Sequence, residues 1–127
     1  VFGILFLSLI SSVSAYPSIV SEKGITHTQA KQLIYSIPDE YYKSVDKIIF
    51  TNKKFARCEI IDIFFQKRCW KGWASAKWNK NHVCSSTKII MADLNRTRLI
   101  HEINHIYDYC INNVNLSTEE FADNFRR

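Results

Sequence analysis

The segment His101-Glu102-Ile103-Asn104-His105 lies in a helix-compatible run from about Asn95 to Asn113, and it restricts the fold more than any other feature of the chain. An α-helix stacks positions four apart on one face, so His101 and His105 can aim ring nitrogens at a single ion. Glu102 sits about 100° round the helix, within reach of a water held by that ion rather than of the ion itself. Zinc with an open coordination position lowers the pKa of such a water to about 7, which supplies a hydroxide-like nucleophile at neutral pH. Leu99, Ile103, Ile106 and Cys110 make the core stripe of this helix, and His101, His105 and Asp108 make its other face.

A third ligand is sought among the acids downstream. The chain continues to Ser117-Thr118-Glu119-Glu120-Phe121-Ala122-Asp123. Ser117 and Glu120 have the spacing of a capping box, which occupies Glu120 and places Glu119 in the first turn of a new helix. Asp123 follows Glu119 by one helical turn and is suited to accept the second N–H of a ligating histidine. An acid in a first turn is also favoured by the helix dipole alone, so Glu119 gains its weight from the histidine pair upstream. Asp108 competes for the same role. Its side chain is short, and a continuous helix carries it about 4.5 Å along the axis past His105, which suits a hydrogen-bond partner better than a ligand.

HExxH followed by ExxAD resembles the gluzincin branch of zinc metallopeptidases, and more closely the group of anthrax lethal factor and the Pro-Pro endopeptidases. The residues that carry the resemblance are His101-Glu102, His105, Asp108 and Glu119-Glu120-Phe121-Ala122-Asp123-Asn124-Phe125-Arg126. It implies His101, His105 and Glu119 as Zn2+ ligands, Glu102 as general base, and a zincin-like fold. The connection between the second histidine and the ligand glutamate is shorter here than in those enzymes. They also carry a catalytic tyrosine seven residues before that glutamate, where this chain has Asn112. Tyr107, Tyr109 and His82 remain as donors to the transition state.

Residues 1–15 are apolar and uncharged and end in Val13-Ser14-Ala15, the pattern of a secretory signal peptide with a small-residue cleavage site. An uncleaved anchor is the alternative, disfavoured by Pro17 and the serine cluster. The expected domain is 16–127, and the expected location is secreted or extracytoplasmic. In such a chain Cys58, Cys69, Cys84 and Cys110 read as two disulfides, for which three connectivities are open; the preferred one pairs Cys58–Cys69 across a hairpin and Cys84–Cys110 between a loop and the motif helix. Two sequons, at Asn95 and Asn115, permit glycosylation.

The remaining chain reads as α+β in one domain. Thr26 to Ser36 makes an amphipathic helix stopped by Pro38. Strands are expected over residues 45–51, 58–66, 73–78 and 88–92, the second buried on both faces because of its apolar run. The strand at 88–92 precedes the motif helix and is expected to supply the sheet edge where a peptide adds as a further strand. The net charge of +5 is scattered, which argues against a nucleic-acid partner. Trp70-Lys71-Gly72-Trp73 through Lys77-Trp78 is the one basic–aromatic patch. It reads first as a twisted hairpin with tryptophans on the core, and second as a surface for an acidic substrate, an anionic membrane or a cell-wall polymer. The function expected is that of a small monomeric zinc metallopeptidase acting on a peptide or protein substrate, with no membrane span left once the leader is removed. Its rivals are a secreted zinc-binding effector without turnover and a basic factor acting through the tryptophan patch.

Overall fold

The computed structural model describes residues 16–60, 63–64, 66–78 and 83–112. The expected leader, Glu119, Asp123 and His82 lie outside these residues. Within them the chain is α+β, with a four-stranded mixed sheet, a separate two-stranded hairpin and two α-helices.

The sheet begins with β1 (Ser18–Ser21), a strand the sequence reading misses. Helix α1 (His27–Tyr35) then crosses over to β2 (Lys47–Phe50), which runs parallel to β1. Thr26 caps α1 through Oγ1, which accepts from Gln29 N at 3.2 Å. A 3-10 turn at Asp39–Tyr42 folds back under the helix, where the Tyr42 hydroxyl donates to Ile34 O at 2.7 Å. Burial pushes the pKa of that hydroxyl above the ordinary phenol range.

After the hairpin come β5 (Gly72–Trp78) and β6 (Cys84–Met91), followed by α2 (Arg96–Cys110). The sheet order is β1-β2-β6-β5, with β2 and β6 parallel and β5 antiparallel. Strand β6 is therefore interior, and the edge nearest α2 belongs to β5, a correction to the expected edge at residues 88–92. Only residues 79–83 separate β5 from β6 in the sequence, a spacing that suits antiparallel pairing of the two, while β2 pairs with β6 on its other side. Thr87 joins the inner strands: its N–H donates to Asp46 Oδ2 at 3.0 Å, its Oγ1 accepts from Asp46 N at 2.8 Å, and its hydroxyl donates to Ser44 O.

Ile48 and Phe50 of β2, and Ile89 and Met91 of β6, face α1 and α2. They share one buried cluster with Ala30 and Ile34 of α1 and Leu99, Ile103 and Ile106 of α2. The alternation that places them there is interrupted by a β-bulge. Ser75 pairs with Lys88 but Lys77 pairs with Ser85, so β6 carries one extra residue, and Ser86 takes a left-handed φ of 53°. The bulge turns Cys84 onto the helix face, where its partner Trp78 already stands by the regular alternation of β5. There Cys84 forms a disulfide with Cys110, and Trp78 stacks on Tyr109 with ring centroids 4.9 Å apart.

The expected strand over residues 58–66 is two structures. Strand β3 (Arg57–Ile60) ends early, the chain turns at Ile63 and Phe64, and β4 (Lys67–Trp70) returns antiparallel. Cys58 sits directly opposite Cys69 and is bonded to it. A strand reaching Gln66 leaves too few residues to reverse before Cys69, so the disulfide expectation and the long-strand expectation are incompatible. The disulfide prevails, and Ile60, Ile63 and Phe64 are exposed rather than buried on both faces.

Both disulfides are the expected pairs, and no cysteine is free. They close loops with separations of 26 and 11 residues, and loop-closure entropy assigns the longer about 3.5 kcal/mol and the shorter about 2.8 kcal/mol. Because the longer one also ties α2 to the sheet, Cys84→Ser with Cys110→Ser is expected to lower global stability in urea unfolding by about 2–4 kcal/mol. Cys58→Ser with Cys69→Ser is expected to lower it less, since the hairpin contributes no residue to the buried cluster. An equal loss from both pairs would place the hairpin within the cooperative unit.

Candidate metal centre

Helix α2 starts where Asn95 Oδ1 accepts from Arg98 N at 3.0 Å. Arg98 in turn holds Asp93 with its Nε, at 3.1 and 3.3 Å from the two carboxylate oxygens. The helix ends one turn after the histidine segment, where Asn112 N bonds to Asp108 O and the Asn112 side chain donates to Asp108 Oδ1 at 3.1 Å. These two ends hold 15 helical residues in register with the sheet. The apolar stripe expected on this helix is the one the structure buries.

The opposite face is also covered. His101, Glu102 and His105 are only 7%, 3% and 5% exposed. Buried ionisable side chains are expensive unless they pair or bind an ion, so three together on one helix make a candidate metal site. His101 Nε2 and His105 Nε2 lie 3.2 Å apart with their rings nearly perpendicular, at 89°. Two nitrogens on one tetrahedral zinc, each about 2.05 Å from it, stand about 3.3 Å apart. The observed spacing is that of such a donor pair. The same distance lets one ring donate to the other, which gives the pair a partner when no ion is bound. Glu102 Oε1 is 3.9 Å from His101 Nε2, and ligand atoms of all three residues lie within 4.8 Å of one another. This buried group can bind a metal ion.

What covers Glu102 is the backbone of β5. A Cβ at Gly72 would stand 3.0 Å from both Cγ and Oε1 of Glu102 and 3.1 Å from Arg98 Cδ. Gly72 has no left-handed φ to explain it; the close approach of the helix does. The sequence reading assigned Gly72 no role, although a glycine opening a strand between two tryptophans is a signal of close backbone approach.

Asp108, the competing acid, is buried on α2. Burial raises its pKa, offset by the hydrogen bond from Asn112 and then by the charge of His105. Among the described residues its Oδ2 has no hydrogen-bond partner. Of the three donors left open for a transition state, Tyr109 lies about 40° from His105 round the helix and Tyr107 about 200°. Tyr107 accordingly lines a separate cleft of about 400 Å³ with Glu40, Tyr41 and Asn104, while Tyr109 is on the histidine side, stacked against Trp78.

No protein-family model, curated protein or solved structure matches this chain.

The contact between Glu102 and Gly72 predicts the effect of a single methyl group. Gly72→Ala is expected to cost about 1–3 kcal/mol in urea unfolding, because Glu102 and Arg98 must shift together to admit it. An unchanged midpoint and slope would mean that Glu102 is not seated on this strand.

Proposed function

We propose that the chain is a zinc-dependent peptidase of the gluzincin type. The observation that carries the reading is the buried imidazole pair at 3.2 Å with the Glu102 carboxylate beside it. His101 and His105 supply two ligands; Glu119, which lies outside the described residues, supplies the third, with Asp123 behind it. When bound, zinc acidifies a water and polarises a carbonyl.

The remaining work belongs to the protein. Glu102 takes a proton from the attacking water and delivers it to the leaving amine, a transfer between two positions that a single carboxylate can reach. Its burial against Gly72 restricts its rotamers and keeps bulk water from competing for it. Strand β5 is the sheet edge at this site among the described residues, and an extended peptide can add to it through backbone hydrogen bonds. Two disulfides fit an oxidising compartment, in keeping with an exported enzyme. No described helix is long and apolar enough to cross a membrane.

Glu102→Gln is the decisive variant. It should retain zinc, since both histidines are untouched, and lose cleavage of a mixed peptide library by at least about 10²-fold, the usual worth of a general base. Retained cleavage removes Glu102 from the mechanism; a wild-type protein that binds zinc and cleaves nothing leaves the ion a structural role.

The third ligand is tested separately, by competition with a chelator. Glu119→Ala should weaken zinc by orders of magnitude, and Asp108→Ala by about 10–100-fold at most, as for a group that only orients a ligand. The reverse ranking assigns Asp108 as the ligand and withdraws the gluzincin reading.

A further inference from the structure

The hairpin β3–β4 contributes no residue to the buried cluster, yet a disulfide holds it closed. A two-stranded hairpin without a core is marginal on its own, so the Cys58–Cys69 bond is what keeps this one in shape. What it presents is apolar. Ile60, Ile63 and Phe64 are 65%, 83% and 79% exposed. Single exposed hydrophobic residues are ordinary, but three large ones at the end of one stapled hairpin make an apolar tip.

Behind the tip stand two bases of β4: Lys67 lies directly opposite Ile60 and is exposed, and Arg68 follows it, opposite Glu59. Arg68 sits over the Trp70 ring with 5.4 Å to its centroid. From the Ile60–Lys67 pair to the Arg57–Trp70 pair the hairpin runs three residue steps, or about 10 Å. Arg57 is partly offset by its ion pair with Glu59 at 2.8 Å. It also packs over Trp73 and lines a groove of about 470 Å³ on the outer face of the sheet, together with Lys47, Lys77 and Lys88 and a single acid, Asp46. Residues 57–70 carry the bases Arg57, Lys67 and Arg68 against the acids Glu59 and Asp62, a net charge of +1, and the lysines of the groove add to it through Arg57.

An apolar point, the bases Lys67 and Arg68 next to it and a tryptophan about 10 Å behind it match the depth profile of a bilayer interface. There acyl chains lie innermost, anionic headgroups next, and indole rings settle at the boundary. We infer that the β3–β4 hairpin docks the protein on anionic lipid surfaces, with Ile60, Ile63 and Phe64 entering the acyl boundary and Lys67 and Arg68 meeting the headgroups. A protein groove also takes apolar tips, but it gives no reason for Lys67 and Arg68 to stand next to the tip and for Lys47, Lys77 and Lys88 to extend the excess of bases across the neighbouring sheet face. A second copy of the chain would bring like charges together. The attachment is peripheral and independent of the metal chemistry, so Glu102→Gln should leave it unchanged.

The test is co-sedimentation of the full chain with phosphatidylcholine vesicles, with and without phosphatidylglycerol. Binding is expected only with the anionic lipid and should fall when salt is raised from about 0.1 M to about 1 M, where the screening length drops to about 3 Å. Ile63→Ser with Phe64→Ser should weaken it about tenfold or more, and Lys67→Glu with Arg68→Glu by a similar factor. Non-reducing mass analysis checks that the Cys58–Cys69 bond is intact in each variant. Phe64→Trp should add emission that brominated acyl chains quench. Unquenched emission at that position, binding that survives both double variants, equal binding to neutral vesicles, or no binding by the parent chain overturns the inference. So does a concentration-dependent dimer that the tip variants abolish while vesicles are ignored.

Discussion

Leu99, Ile103 and Ile106 of α2 share one buried cluster with Ile48, Phe50, Ile89 and Met91 of the sheet, and this contact decides where every other side chain of the helix must go. Once the apolar stripe is seated, the helix has no rotational freedom left. The next stripe, His101, Glu102 and His105, is carried under the start of β5 and out of water. The cost of burying those three polar groups is met by the packing of the apolar ones, together with the disulfide and capping at the two ends. A site of this kind is possible only where the scaffold has stability to spare elsewhere, and in this chain that reserve lies in a single cluster.

Two local irregularities make the seating work. The bulge at Ser86 reverses the alternation of β6, without which Cys84 would point away from the helix it is bonded to. The absent side chain at Gly72 removes the one atom that would hold α2 away from β5. Both lie at the junction of strand and helix, and each shifts the position of a side chain by an amount that regular geometry cannot supply. The hairpin β3–β4 is the opposite case, a local element stabilised covalently and largely excluded from the core.

Much of this was legible from short-range pattern. Helix α1, the span of α2, its apolar stripe, the histidine pair on the other face and the coarse α+β class all follow from spacing and residue type, and the preferred disulfide pairing, one of three open to four cysteines, is the one formed. Each depends on interactions within a few turns or on a single covalent choice. The pairing of β1 with β2, the interior place of β6 and the edge position of β5 were not legible. Hydrogen bonds between distant strands leave no trace in either strand's own sequence, and a four-residue strand such as Ser18–Ser21 carries too little periodicity to announce itself. The apolar run from Ile60 to Phe65 misled for a physical reason: hydrophobic residues mark burial only where the fold has a partner surface for them, and here a cross-strand disulfide bends the chain before one is reached.

The sequence by itself determined which groups stand together on α2, because helical geometry is local and its repeat is set by the backbone. Tertiary structure alone decided that His101, Glu102 and His105 are buried, that their donors lie within 4.8 Å of one another, and that the carboxylate rests on a glycine from another strand. It also decided that three large apolar side chains face solvent at a hairpin tip. Burial and distance are properties of what packs against a residue, and in a chain this short those neighbours come from dozens of positions away.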